Sequence, residues 1–378
     1  MIRLEGLSKT FESDRGIVHA VQDVSCEVAT GELCVLLGPS GCGKTTVLKM
    51  VNRLIPRSAG KIFIDGRDID TYDVIELRRH IGYVIQEIGL FPNMTVEENI
   101  TVVPRMLGWA VTAQRERARE LIRMVAMDES YLDRYPKELS GGQQQRVGLA
   151  RGLAGDPPVL LMDEPFGAVD PINRESIQDE FLKMQAELKK TILFVSHDID
   201  EAVKMGDKIA ILRDGRLVQV GPPNNVLAIP VNDFVADFVG GDRELKRMWL
   251  IKVQAALDTE VPIVRNSDTL KIAAGKMHQT GCRFAVVVDE NNRPQGFVIA
   301  DERDTDGDRR CGHVKYPLPK PITALSDLRT AVSRMFAGDT KWLAVVDEEG
   351  RFLGVITEQG ITDVLRKTRQ GKREKISS

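Results

Sequence analysis

Along the first 240 residues, unbroken apolar runs alternate with stretches in which apolar positions recur every three or four residues. "LCVLL" (33–37), "PVLLMD" (158–163) and "TILFVS" (191–196) are runs of strand length, the signature of strands covered on both faces. "TTVLKMVNRL" (45–54) has helical spacing, as does the stretch after Ser140, with Val147, Leu149, Ala150 and Leu153. Strand and helix in alternation predict an α/β domain. Near residue 240 the pattern changes. "GGDRELKRMW" (240–249) reads as a polar connector or helix, and an internal repeat lies beyond it. "GCRFAVVVDENNRPQGFVIADE" (281–302) aligns without a gap onto "DTKWLAVVDEEGRFLGVITEQG" (339–360), at an offset of 58 residues. The register extends upstream, pairing Leu270 with Leu328, Ala273 with Ala331 and Met277 with Met335. Each copy is expected to run helix, strand, turn, strand, helix. The polar stretch between them, "DERDTDGDRRCGHVKYP" (301–317), is expected to be a loop.

Directly after the run 33–37 comes "GPSGCGKTT" (38–46), with Gly38, Gly43, Lys44 and Thr45 in P-loop spacing. Glycines let the backbone turn so that successive N–H groups of Pro39 to Thr46, Pro39 itself excepted, can point at a polyanion. Ser40, Gly41, Cys42 and Thr46 complete the cradle. The helix beginning near Lys44 adds the positive end of its dipole. Lys44 reaches the β- and γ-phosphates, and the Thr45 hydroxyl is a ligand for Mg²⁺. Cys42 reads as a small neutral filler. The loop by itself leaves a kinase, a GTPase, a motor and a transporter all open.

Composition changes this picture little. At 378 residues the chain has room for two or three domains, and 42% apolar with 28% charged content describes an ordinary globular protein. A net charge of −3 gives no reason to expect nucleic acid as a partner. The longest apolar runs are far shorter than a membrane span, and no basic-then-apolar leader precedes the first strand. Five cysteines (Cys26, Cys34, Cys42, Cys282 and Cys311) are scattered without a CxxC pair, which reads as a reducing cytosol and no zinc site.

Two further motifs narrow the chemistry. In "PVLLMDEP" (158–165) a strand ends in two carboxylates. Asp163 is placed to hold Mg²⁺ through water, and Glu164 to polarise an attacking water. The same pair could also be a charged turn closing a strand. "LSGGQQQRVGLARGLAG" (139–155) has an N-cap candidate in Ser140, then Gly141, Gly142 and Gln143, then a helix. This is a second helix N-terminus suited to an anion. One γ-phosphate shared between two such sites suggests two chains facing each other.

Taken together, the loop, "LSGGQ", "LLMDEP" and "SHD" (196–198) resemble the ATPase subunit of an ABC transporter over about residues 1–235. The resemblance implies ATP and Mg²⁺ as cofactors. It also implies two copies closing head to tail, with Lys44, Thr45, Asp163, Glu164 and His197 of one facing Ser140 to Gln143 of the other. Gln86 matches the residue that links metal and attacking water to the membrane subunit, so the implied metal set is Thr45, Gln86 and Asp163. Asp170, in "FGAVD", matches the acidic member of the dimer-contact loop, and His197 the histidine that contacts the γ-phosphate. Phe11 sits where the family stacks an aromatic ring, often Tyr, on adenine.

Within that family three classes stay open: an importer motor, a soluble protein of repair or translation, and a nucleotide-sensing regulator. There is one cassette and no long coiled coil, and "IGLFPNMTVEENI" (88–100) matches the region that receives a permease's coupling helix. The repeat resembles a pair of cystathionine-β-synthase (CBS) domains. An ABC ATPase followed by such a pair is similar to the importers of glycine betaine, carnitine, choline or proline betaine; the alternatives are an importer for another small solute or, further off, a soluble nucleotide-sensing regulator of the ABC type. The expected fold is α/β: an ABC-type ATPase domain with a helical signature subdomain over 1–238 and a connector over 239–250. Two small α/β CBS repeats follow over 251–312 and 313–370, then a basic tail over 371–378. The resemblance implies a transmembrane permease, a second copy and, indirectly, a solute-binding protein as partners, with the chain peripheral on the cytoplasmic face of the inner membrane. In the CBS copies a Gly-x-x-Thr-x-x-Asp run would hold a nucleotide. Here the positions read Gly296, Ile299, Glu302 and Gly354, Thr357, Gly360, so neither is complete and a structural or dimerising role stands beside nucleotide binding. Finally, "LRKTRQGKREKISS" (365–378) carries Arg366, Lys367, Arg369, Lys372, Arg373 and Lys375 against Glu374. It reads either as a solvated, disordered end or as a contact for an anionic membrane surface, worth on the order of 1 kcal/mol per basic residue.

Overall fold

The computed structural model describes residues 1–13, 16–85, 89–167, 169, 171–299 and 308–376. The chain divides into two units, one of Met1–Val226 with Pro230–Gly240, the other of Leu227–Ile229 with Gly241–Ser378.

The first unit is built on a six-stranded sheet in the order Arg216–Gly221, Lys208–Arg213, Leu33–Leu37, Thr191–Ser196, Val159–Asp163, Ile81–Val84. All neighbours are parallel except the edge strand Arg216–Gly221. Every residue of Leu33–Leu37, Val159–Asp163 and Thr191–Ser196 is buried, which is why these segments are unbroken apolar runs rather than alternating ones. A second sheet, in the order Gly16–Val28, Ile2–Ser13, Ala59–Ile64, Arg67–Asp68, is antiparallel. The helix Lys44–Val51 buries Val47, Leu48, Met50 and Val51 in one core with residues of both sheets.

Register fixes what this sheet presents. Leu37 lies beside Ser196, and Asp163 beside Val195, so three parallel strands end together. The segments that leave them, beginning at Gly38, Glu164 and His197, emerge along one sheet edge, the place where open α/β sheets bind ligands. The helices Val96–Met106, Val111–Met124 and Gly141–Leu153 pack against one another, and the last of them also packs on the edge strand Ile81–Val84. The first of them starts at a capping box, in which Thr95 accepts from the Glu98 N–H and Glu98 accepts from that of Thr95.

The second unit realises the repeat. Helices Leu270–Thr280 and Leu328–Ala337 are capped by Thr269 and Asp327, and the hairpins Phe284–Val288/Pro294–Ile299 and Trp342–Val346/Phe352–Thr357 follow in equivalent places. The turns are alike in chemistry. Asp289 accepts backbone N–H bonds from Asn291 and Arg293, and Asp347 from Glu349 and Arg351. The Arg293 N–H chiefly holds the Asp289 carboxyl below its usual range; at Asp347 the Arg351 side chain does so first. The leading segments cross over. Ile251, Val253 and Ala256 join the core of the second copy, and Leu257–Asp258 pairs with Phe352–Thr357. Tyr316, ahead of the second copy, bridges to Phe297 of the first.

One expectation changes here. Part of the interval expected as a loop is a short helix, Cys311–Val314, because Cys311 and Val314 lie three apart and pack into the first copy's core; residues 301–307 of that interval lie outside the described residues. The second copy closes with a helix, Glu358–Ile376, as each copy was expected to, and its backbone runs through most of the basic stretch. Most of "GGDRELKRMW" belongs to the helix Arg243–Leu250, with Arg247 fully buried and paired with Glu244 at 2.6 Å. Among the described residues no helix is long and apolar enough to cross a membrane.

Candidate functional site

The loop between Leu33–Leu37 and Lys44–Val51 needs its outer glycines. A Cβ on Gly38 would lie 2.2 Å from the Leu212 carbonyl oxygen, and one on Gly43 2.4 Å from that of Ala20. Gly43 is also left-handed, at φ +105°, as the residue that caps the helix. Gly43→Ala is therefore expected to strain the loop by roughly 1–3 kcal/mol from backbone conformation alone. Titration with a fluorescent ATP analogue should show affinity lowered by about tenfold or more from that strain, and unchanged affinity would contradict it.

Lys44 is only 6% exposed, and its ammonium curls back over the loop, donating to the carbonyls of Gly38 at 2.7 Å and Pro39 at 2.9 Å. The cation is thereby held at the mouth of the backbone cradle. Cys42 Sγ lies 3.8 Å from that ammonium, and burial pushes its thiol up, so it stays a neutral packing group.

Thr45, one residue into the helix, donates its hydroxyl to Asp163 Oδ1 at 2.9 Å. Asp163 is buried; burial pushes its carboxyl up, the Thr45 bond opposes this, and the charge of Glu164 adds to it. A buried carboxylate beside a hydroxyl is an oxygen-only donor pair, which suits a hard divalent cation whose charge would offset the desolvation. Tyr83 on the neighbouring strand is half-buried, and burial together with the Asp163 charge pushes its phenol up to about 12. Sequence reasoning passed over Tyr83, because its neighbourhood is set by the pairing of Ile81–Val84 with the strand that ends in Asp163.

Glu164 turns sharply. Its φ of +46° is unusual for a residue with a side chain, and its N–H donates to Val195 at 3.0 Å. That turn brings its carboxylate to His197, with Oε2 and Nδ1 3.2 Å apart. The two residues were identified separately in sequence, and the sheet edge makes them a pair. The His197 side chain is 61% exposed, so the pair opens to solvent.

At the signature, Ser140 caps the helix Gly141–Leu153: its Oγ accepts from the Gln143 N–H at 3.3 Å, and Gln143 Oε1 accepts from the Ser140 N–H at 2.9 Å. Gln143 also donates to the Tyr131 hydroxyl at 3.2 Å. A Cβ on Gly141 would meet nothing within 4 Å, so this chain's own packing does not require glycine there. Ser140 and Gly141 are exposed.

Phe11 is 41% exposed, with the Lys9 ammonium 4.8 Å from its ring centre. Gln86, Asp170 and Glu302 lie outside the described residues. In the repeats, Gly354 sits 2.3 Å (as Cβ) from the Asp258 carbonyl and Gly296 2.8 Å from that of Tyr316, so close backbone approach accounts for both glycines. Thr357 Oγ1 accepts from the Gly360 N–H at 3.0 Å, a cap for the last helix, and Ile299 is half exposed.

Comparison with known proteins agrees with this geometry. The family model for ABC transporters matches residues 21–167, and that for CBS domains matches 253–301 and 313–367. The osmoprotectant import ATP-binding protein of Salmonella typhimurium is 53% identical over 97% of this chain and 96% of its own. The choline transport ATP-binding protein of Bacillus subtilis is 44% identical over 100% of both chains. Among solved structures, a dimeric ATP-binding cassette in a post-hydrolysis state with ADP and Pi superposes with a TM-score of 0.55. It is 34% identical and covers 59% of this chain and 99% of that one. A glycine-bounded loop with a buried lysine, a Thr–Asp oxygen pair, a Glu–His pair and a capped signature helix, followed by paired repeats, are thus found in a sequence that matches the two curated relatives over nearly its whole length: the chain belongs to the ATP-binding subunits of osmoprotectant importers of the ABC transporter family.

Proposed function

We propose that this chain is the ATP-hydrolysing motor of an importer for a quaternary ammonium osmoprotectant such as glycine betaine, acting as two copies beneath a transmembrane permease. The observation that carries the reading is the convergence of Lys44, Thr45–Asp163 and Glu164–His197 on one sheet edge. In this reading the Gly38–Thr46 loop and Lys44 bind the triphosphate, and Phe11 offers its exposed face to adenine. Glu164 takes a proton from the attacking water while His197 orients its carboxylate and meets the γ-phosphate. Mg²⁺ would be held by Thr45 and Asp163, with Gln86 as the third member, and would neutralise charge on the β- and γ-phosphates. Ser140 to Gln143 of the second copy close the site, which the exposed Gly141 favours sterically.

Closure would pull on the permease, and hydrolysis would reset it. Both copies sit at the cytoplasmic face of the inner membrane as peripheral subunits, and the solute-binding protein acts through the permease. The relatives named for osmoprotectant and choline transport support the solute class. Liposomes holding this chain and its permease, offered glycine betaine, choline, carnitine and an unrelated amino acid, test it. Uptake of a quaternary amine is expected; uptake of the amino acid alone would move the assignment to another solute.

We assign the basic end of the chain a contact with anionic lipid. Arg366 and Lys367 are exposed on the last helix, and the side chains from 368 onward lie outside the described residues. Such attraction weakens as salt shortens the Debye length. Deleting 366–378 should flatten the dependence of transport on internal salt in anionic liposomes, and an unchanged salt response would remove the contact.

A further inference from the structure

Beneath the exposed Glu164–His197 pair lies a buried carboxylate that the hydrolytic chemistry does not use. Glu201 is 8% exposed and stands in the first turn of the helix Ile199–Met205. Its two oxygens serve two different elements. Ser196 Oγ, at the end of the strand Thr191–Ser196, donates to Oε2 at 2.6 Å; Gln178 Nε2, on the helix Pro171–Leu188, donates to Oε1 at 3.1 Å. Ser196 and Gln178 are buried as well. The same Ser196 hydroxyl accepts from the Asp198 N–H at 3.0 Å, so it clamps the residues on either side of His197. Arg174, one turn before Gln178, reaches Asp198 at 3.9 Å and donates to the Val169 carbonyl at 3.0 Å.

The imidazole itself is loosely held. Among the described residues its polar partner is Glu164, and most of its side chain faces solvent. Its position therefore depends on the backbone of the turn 196–198, and that turn is held from below. Burial pushes the Glu201 carboxyl up, and the Ser196 bond opposes this. Burying a carboxylate is costly, and it is sustained only where geometry fills its lone pairs; here each oxygen has one donor from a separate element.

We propose that Glu201 is a positioning residue for His197: by tying Ser196 to Gln178 it holds the histidine turn against the helix Pro171–Leu188 and keeps the imidazole at Glu164. The helix so tied begins directly after Asp170, so the tie also fixes the histidine turn to the segment that follows the dimer-contact loop.

This inference rests on the assigned role of His197, and the experiment separates the two. ATP turnover is measured on the full-length chain assembled with its permease, in steady state and single turnover, for His197→Ala, Glu201→Ala, Glu201→Gln and Ser196→Ala, with melting recorded for each. His197→Ala at wild-type turnover would overturn the role of His197 itself. With that role intact, Glu201→Ala is expected to lower kcat by roughly 10²-fold with KM for ATP within about threefold. Glu201→Gln, which keeps an acceptor for Ser196 while the Gln178 amide can flip, should recover turnover to within about fivefold of wild type. Combining Glu201→Ala with His197→Ala should add less than about twofold to the loss, because both act through one group. Wild-type kcat in Glu201→Ala, or a full multiplicative loss in the double variant, overturns the proposal. If Glu201→Ala melts below the assay temperature, Ser196→Ala takes its place. It keeps the core volume nearly unchanged, and it should lower kcat by about tenfold, again without further loss on His197→Ala; wild-type kcat in that variant is the contrary result.

Discussion

Glu164→Gln is expected to lower ATP turnover by roughly 10²-fold or more while leaving ATP affinity within a few-fold of wild type. Glutamine keeps the volume and one oxygen, so the turn at φ +46° and the approach to His197 survive. What it loses is the basicity needed to take a proton from water. Lys44→Ala should do the opposite. Its ammonium lies over the phosphate cradle, bonded to Gly38 and Pro39, and its removal takes away the charge that offsets the β- and γ-phosphates. Binding itself should then fail, before any chemistry. Nucleotide affinity and steady-state hydrolysis, measured side by side on the reconstituted transporter, distinguish the two. Full hydrolysis by Glu164→Gln would remove the glutamate from its role.

Ser140→Arg is expected to abolish the ATP-driven pairing of two chains while one chain still binds ATP. The residue is exposed, it begins the signature helix, and the adjoining Gly141 leaves open space that this chain does not fill. An arginine there puts a long side chain where the partner's phosphate loop would close. Loss of the Ser140 cap would cost the helix about 1 kcal/mol, too little to unfold the helices it packs among. Size-exclusion chromatography with ATP provides the comparison, using Glu164→Gln to hold the closed state. That variant should elute as a dimer, and the combination with Ser140→Arg as a monomer. A dimer indifferent to Ser140→Arg would place the signature helix away from the shared site.

Much of this site was legible because its chemistry depends on local order. A phosphate loop is a short segment whose glycines answer to backbone geometry, and Gly38 and Gly43 prove to be positions where any Cβ meets a carbonyl. Strands covered on both faces have to be continuous apolar runs, so Leu33–Leu37, Val159–Asp163 and Thr191–Ser196 were visible as such. The repeat was legible for the same reason. Asp289 and Asp347 each hold a tight turn through two backbone bonds, and that requirement recurs at the 58-residue offset. What sequence left out is whatever register supplies. The contact of Glu164 with His197, the bond of Glu201 to Gln178, and Tyr83 beside Asp163 join residues on different elements, and no spacing encodes them. The helix Cys311–Val314 was hidden by polar neighbours on both sides, since two apolar residues give too short a pattern to read. The crossing of the leading segments, with Leu257–Asp258 on the second copy's sheet, is likewise a matter of pairing and not of composition.

The central claim is that hydrolysis in a pair of these chains drives solute import, and accumulation of labelled glycine betaine tests it most directly. Liposomes carrying the chain and its permease are loaded with Mg²⁺ and either ATP or a non-hydrolysable analogue, and solute is offered outside together with the solute-binding protein. Uptake against the gradient is expected with ATP, and none beyond a single binding event with the analogue or with Glu164→Gln and ATP. Equal accumulation under all three conditions would contradict the account.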